Sequence, residues 1–210
     1  MEDYRNIIES ADIGKIVPVV KQLDVDDPMD YFAKLSDYGR ATDSCLFESR
    51  EYLAGSGALS FGTARPSLYL TGTGRDFTIK ALNNTGSRML KYLASDQKRF
   101  DFCESVDFSD KTITGTVKKP AGTVDEYTRL QSVNQMDVIR TVASSFSLAS
   151  KPFRVTCGLL GAISYDFIDQ FEKLPQNKQD ILRNPDYELY FADNIFIVDH
   201  EAGKSYVVVN

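Results

Sequence analysis

The chain has one histidine, three cysteines, fewer basic than acidic residues, and no long apolar run. Each scarcity excludes something. A single histidine, His200, leaves a hydrolytic triad or a histidine-rich metal centre with one possible member, and its setting in Asp199-His200-Glu201 beside Gly203 suggests an exposed turn. Cys45, Cys103 and Cys157 are odd in number, far apart and without paired spacing, so no disulfide framework is expected and the thiols suit a reducing compartment. Cys157, between Thr156 and Gly158 in an apolar stretch, reads as an inert core thiol. No stretch approaches the roughly 18 apolar residues of a membrane span, and the start, Met1-Glu2-Asp3-Tyr4-Arg5, is not basic then apolar. A cytoplasmic protein with no membrane partner is the expectation. The net charge of −6 opposes binding to a polyanion, and Lys98-Arg99 and Lys118-Lys119 are isolated doublets, which argues against nucleic acid.

What is present is ordinary globular material: 210 residues, 42% hydrophobic and 26% charged. A chain of this length buries about 70% of its unfolded surface, enough for one large domain or two small ones without metals or disulfides.

Local patterns place the elements. Asp27-Pro28-Met29-Asp30 is a helix start, with Asp27 as cap, Pro28 at the first helical position, and Met29, Phe32 and Ala33 on the buried face. Short strands are expected at Ser44 to Glu48, Ala58 to Gly62 and Ser67 to Thr71, together an antiparallel meander. Thr71-Gly72-Thr73-Gly74-Arg75-Asp76 lacks the third glycine of a dinucleotide fingerprint and reads as a hairpin turn, with Phe77 to Leu82 returning. A short helix at Ser87 to Ala94 and a half-buried strand at Thr112 to Val117 follow, with the segment between them ambiguous. Lys118 to Val124 reads as a surface loop, not a domain boundary.

Ser132-Val133-Asn134-Gln135 has the spacing of a capping box ahead of a helix over 133–146. Val155 to Ile163 is apolar on both parities, as a central strand buried on both faces would be, with its two glycines marking close backbone packing. Tyr187 to Val198 reads as one long strand, with a hairpin at Asp199 to Lys204 and a return strand over Ser205 to Val209. Asp166, Asp169 and Glu172 recur at near-helical spacing after Tyr165. They form either a solvated helix face or paired acids able to hold a cation, and the solvated face is the simpler reading.

Cys45-Leu46-Phe47-Glu48-Ser49 and Leu59-Ser60-Phe61-Gly62 place an acid and two hydroxyls at the ends of apolar runs. On the residues alone, Ser49 could close a turn while Glu48 points to water; equally, the pair could grip a zwitterion, because an ammonium needs an acid and a carboxylate needs neutral donors.

Four segments carry a resemblance. The two just quoted are joined by Gly158-Leu159-Leu160-Gly161-Ala162-Ile163-Ser164-Tyr165-Asp166 with Phe171-Glu172-Lys173-Leu174-Pro175. The fourth runs from Pro185-Asp186 through Ala192-Asp193-Asn194 to Asp199-His200. In order and spacing they resemble the N-terminal region of anthranilate synthase component I and its chorismate-utilising relatives. The resemblance implies an α+β fold of antiparallel sheets with outer helices, the N-terminal half of an α/β/β/α architecture. It treats residues 1–210 as one regulatory region, with the chorismate-binding catalytic region beyond it. It further implies conversion of chorismate to anthranilate, a glutamine amidotransferase partner (component II), and Mg2+ and chorismate held by the other half. No catalytic or metal-binding residue is expected here, and the chain alone should be inactive. Feedback L-tryptophan would be bound by Ser49 and Glu48, with Ser60 in support. Ala58 and Leu59 stand where the family often has a basic and an aromatic residue, so a donor to the ligand is absent at that point. The same region of aminodeoxychorismate synthase or another chorismate-branch enzyme, and a stand-alone binding module, are the alternative readings.

Overall fold

The computed structural model describes residues 2–24, 27–49, 59–119, 132–172 and 181–210. It has two compact units, neither contiguous in sequence: Met1–Ser67 with Phe146–Leu160 and Phe191–Asn210, and Leu68–Ser145 with Gly161–Tyr190. No boundary between them falls in the expected loop at Lys118 to Val124, of which residues 120–124 lie outside the described residues. The expected α+β class with antiparallel sheets holds.

In the first unit, helix α1 (Glu2–Glu9) precedes a two-residue strand β1 (Lys15–Ile16), which pairs in parallel with β9 (Ser147–Leu148). The main sheet contains β2 (Val19–Leu23), β3 (Ser44–Phe47), β4 (Leu59–Ala64), β12 (Asn194–Asp199) and β13 (Lys204–Val209), in the order β2-β13-β12-β4-β3. Helix α2 (Pro28–Leu35) starts as the sequence expects: the Asp27 carboxylate accepts the N–H groups of Met29 at 2.9 Å and Asp30 at 3.2 Å. It stops where Asp37, Tyr38 and Gly39 take positive φ, a conformation no α-helix can continue through.

Period-2 alternation gives this sheet two buried faces. Phe196 and Val198 of β12 meet Phe32 of α2, with Leu46, Met29 and Leu35 packed around them. The alternate residues Ile195 and Ile197 join Val208 and Ala192 on the opposite face, packed by Phe61, Phe153 and Tyr206. Burial of a side chain the size of Phe32 contributes about 1.5–3 kcal/mol, so α2 is held by its apolar stripe more than by its cap.

In the second unit, β5 (Leu68–Thr73) and β6 (Asp76–Ala81) form the expected hairpin, with Gly74 at φ +58 in the turn. Helix α3 (Asn84–Ala94) begins three residues earlier than expected, because the Asn83 side chain caps it by accepting from the Gly86 N–H. The ambiguous segment holds a 3-10 turn (Gln97–Phe100) and β7 (Cys103–Phe108), which pairs with β8 (Thr112–Val117). With β10 (Gly158–Ile163) and β11 (Tyr187–Ala192) the sheet order is β10-β11-β5-β6-β8-β7. Leu68, Leu70, Phe77, Ile79, Ile113 and Val117 are buried along one parity, and α3 packs on β6 and β8 with Met89, Leu90 and Leu93 inward.

Four expectations are corrected. The strands after Gly39 are not one meander, since β4 and β5 lie in different sheets. The apolar run from Tyr187 to Val198 is not one strand; it breaks at Asp193, and its halves β11 and β12 also serve different sheets. The Val155–Ile163 segment is not central: only Gly158–Ile163 is a strand, at a sheet edge, with Ile163 49% exposed. Gly161 does show the close packing expected there. At φ +155, a Cβ on it would sit 2.1 Å from the Glu188 carbonyl oxygen, while Gly158 meets nothing.

Finally, the capping box of α4 (Gln135–Ser144) is formed by Asn134 and Asp137 instead of Ser132 and Gln135. Asn134 Oδ1 accepts from Met136 at 2.8 Å, and Asp137 Oδ2 accepts from the Asn134 N–H at 2.9 Å.

Candidate functional site

Strand β3 leaves its ladder just where the two hydroxyl-bearing segments meet. Phe47 is its last paired residue, opposite Phe61 of β4, and the two rings stack with centroids 5.3 Å apart. At Glu48 and Ser49 the ladder with β4 has ended among the described residues, and a side chain takes over. The Ser49 N–H donates to Ser60 Oγ at 3.0 Å, and the Ser60 hydroxyl faces the Ser49 carbonyl oxygen at 3.3 Å. Ser60 is fully buried, Ser49 half-buried and Glu48 exposed. An unpaired backbone N–H there would cost about 1–3 kcal/mol in desolvation, so the Ser60 clamp fixes the direction in which the segment leaves the sheet.

The third partner of Ser60 was not visible in the sequence. His200 lies just past the end of β12, where Ser60 pairs with Val198. Residue 200 is therefore the diagonal neighbour on the same face. Its Nε2 lies 2.7 Å from Ser60 Oγ, while the ring is exposed. The exposed-turn reading of His200 is thus right about solvent. The hairpin is closed by Asp199 Oδ1, which accepts the Ala202 N–H at 2.9 Å.

The structure brings Glu48, Ser49 and Ser60 together at one strand end. Among the described residues, the Glu48 carboxylate and the Ser49 hydroxyl have no hydrogen-bond partner, which leaves an anionic acceptor and a neutral donor open at that end. Ala58 lies outside the described residues.

The other resemblance segments have structural work. At the β11–β12 break, the Ser67 hydroxyl donates to Asp193 Oδ2 at 2.5 Å. Asn194 donates to the Arg65 carbonyl and accepts from Thr63, both at 3.4 Å. Burial pushes the Asp193 carboxyl above its ordinary range, and the Ser67 donor opposes that shift.

In the second unit, Asp186 Oδ2 accepts the Gly74 N–H at 2.8 Å and the Gln170 amide at 3.4 Å, pinning the β5–β6 turn beside a cleft of about 430 Å³. Burial raises the Asp186 carboxyl, and the nearby charges of Asp166 and Asp169 add to it. Asp166 and Asp169 are exposed on a 3-10 turn (Tyr165–Gln170), in keeping with a solvated face. Residues 173–175 of the third motif lie outside the described residues.

Burial pushes the Cys157 thiol up to about 12 and the Cys103 thiol to about 11, which keeps both protonated and unreactive at neutral pH. Among the described residues, no three His, Cys, Asp or Glu side chains converge as a metal-binding group, and no helix is long and apolar enough to cross a membrane.

No protein-family model matches the chain. Individual relatives do. Anthranilate synthase component 1 of Vibrio parahaemolyticus is 28% identical over 162 residues, covering 76% of this chain and 29% of the relative. The Haemophilus influenzae protein of the same name is 26% identical over 164 residues, covering 76% and 30%. That of Serratia marcescens is 35% identical over a shorter 83 residues, covering 39% and 15%. The chain spans about 30% of the length of the first two relatives. The chain is thus similar to anthranilate synthase component 1, over about three quarters of its own length.

Proposed function

We propose that this chain is the N-terminal, regulatory part of an anthranilate synthase large subunit and carries one wall of a feedback site for L-tryptophan. The observation that carries this reading is the strand end at Glu48–Ser49. Its backbone is clamped by buried Ser60, while its carboxylate and hydroxyl stay open among the described residues. The ligand ammonium pairs with Glu48, and the Ser49 hydroxyl donates to the ligand carboxylate. The names of the relatives support the anthranilate branch over the aminodeoxychorismate one.

In the whole enzyme, chorismate and ammonia would give anthranilate, pyruvate and water. The ammonia would come from a glutamine amidotransferase partner, and Mg2+, where bound, would engage the substrate carboxylate. We assign substrate, metal and amidotransferase contacts to no residue of this chain. The chain alone is accordingly expected to be inert toward chorismate with ammonia and magnesium, and measurable anthranilate fluorescence from it would relocate catalysis.

Two charge-assisted hydrogen bonds of about 1.5–3 kcal/mol each correspond to a dissociation constant between roughly 6 mM and 40 μM. The test is therefore an amide-shift NMR titration with millimolar L-tryptophan, with D-tryptophan and L-phenylalanine as controls. Saturable shifts centred on Glu48 and Ser49 and selective for L-tryptophan are expected. Shifts that are non-saturable, or that centre elsewhere, sink the reading.

A further inference from the structure

The Ser60 hydroxyl has one hydrogen to give and two lone pairs to receive. Three partners surround it: the Ser49 N–H at 3.0 Å, the Ser49 carbonyl oxygen at 3.3 Å and His200 Nε2 at 2.7 Å. One lone pair is committed, because the Ser49 N–H can only donate. If Nε2 were unprotonated, the single hydroxyl hydrogen would turn to it, and the Ser49 carbonyl would lose its bond. If Nε2 carries a proton, it donates to the second lone pair, and the hydroxyl hydrogen is free for Ser49. Only the second arrangement satisfies all three contacts with one hydrogen.

We propose that His200 is a positioning residue for the Glu48–Ser49 segment. As an Nε2–H donor it orients the Ser60 hydroxyl so that Ser60 holds both backbone polar groups of Ser49. The neutral Nε2–H form and the imidazolium both serve, since each carries a proton on that nitrogen; the Nδ1–H form does not. Every valence of Ser60 is then used within the protein. An α-amino acid bound at this strand end meets the Glu48 carboxylate and the Ser49 hydroxyl, never Ser60 itself. The ligand-facing half of this inference rests on the tryptophan reading above; the hydrogen-bond half rests on the three distances alone.

One asset makes the test direct: His200 is the only histidine in the chain, so its ring nitrogens give unambiguous NMR signals. Long-range proton–nitrogen correlation above the imidazole titration should show Nε2 protonated and Nδ1 bare, and a dominant Nδ1–H form overturns the proposal. Hydrogen exchange of the Ser49 amide supplies the second readout. His200→Ala should speed it roughly tenfold, while His200→Gln, whose amide keeps a donor at similar reach, should hold it within about twofold of the parent. Unchanged exchange in His200→Ala, or equal acceleration in both variants, overturns it too.

The third readout is L-tryptophan affinity, which should fall severalfold in His200→Ala and recover in His200→Gln. If the parent protein binds no L-tryptophan, the effector reading fails, and tautomer and exchange still decide the clamp. If L-tryptophan binds and His200→Ala leaves affinity unchanged while exchange rises, the clamp exists but positions nothing, and the proposal is overturned.

Discussion

Inside the second unit the Tyr187 hydroxyl donates to Gln135 Oε1 at 3.1 Å, and both side chains are essentially inaccessible to water. Gln135 in turn donates from Nε2 to the Asp76 carbonyl at 3.0 Å, so one buried amide joins the start of α4 to strands β11 and β6. Burial pushes the phenol far up, which favours the protonated, donating form. The Tyr187 ring also lies over Gly72, where a Cβ would come within 2.5–2.8 Å of ring atoms.

Gly72→Ala is therefore expected to destabilise the protein by about 1–3 kcal/mol, because the added methyl meets a ring fixed by its own hydrogen bond. An unfolding free energy from urea denaturation lowered by less than a few tenths of a kcal/mol would show that Tyr187 yields freely.

Ser49→Ala and Glu48→Gln should each weaken L-tryptophan binding roughly tenfold, the loss of one charge-assisted hydrogen bond. Thermal midpoints should barely move, since neither side chain has a partner to lose among the described residues. Equal losses of stability and affinity would point to a structural role.

Asp193 gives a pH dependence opposite in sign to that of most carboxylates. Its folded pKa is raised above the ordinary 3.8. The folded state therefore holds the proton more tightly than the unfolded chain, and stability falls as pH rises from that value through the raised one. Asp193→Asn removes the burden of ionisation and can still accept from Ser67. Relative to the parent, its unfolding free energy should improve as pH climbs from about 4 toward neutrality. A difference independent of pH would mean that Asp193 titrates normally.

Thiol labelling tests the cysteines. In the native protein at neutral pH, Cys103 and Cys157 should react with iodoacetamide roughly tenfold or more slowly than after denaturation, as residue-resolved mass spectrometry would show. Equal native and denatured rates would refute the burial argument.

Several features set by residues close in sequence were readable in advance, though the caps at Asn83 and Asn134 were not. The Asp27-Pro28 helix start, the hairpin around Gly74 and the hairpin after Asp199 depend on caps and turn residues, and they formed as expected. The break at Asp193 was not legible, because an apolar run looks the same whether it feeds one sheet or two; what breaks it is a bond to Ser67, 126 positions away. The edge position of β10 was hidden for the same reason, since apolar residues on both parities fit a strand that is central or one whose outer side is bare. At the candidate site, Glu48, Ser49 and Ser60 stood out by residue type, while a supporting role for Ser60 came only from the family resemblance. The His200 contact spans 140 positions, and nothing in its own neighbourhood announces it.

The sheet order of the first unit also bears on how the chain can be made. β2 pairs with β13, and β4 takes β12 on one side, so two inner strands of this sheet follow its other three in the sequence. On a ribosome, β3 and β4 can pair soon after both emerge, while β2 waits for β13 and the other side of β4 waits for β12, some 130 residues or more, the delay that slows folding when pairings are distant in sequence. The hairpin of the second unit can close meanwhile, because β5 and β6 are adjacent. The Ser49–Ser60 contact can then form early, while the strand end that bears Glu48 and Ser49 gains its third Ser60 partner only after His200 has left the exit tunnel.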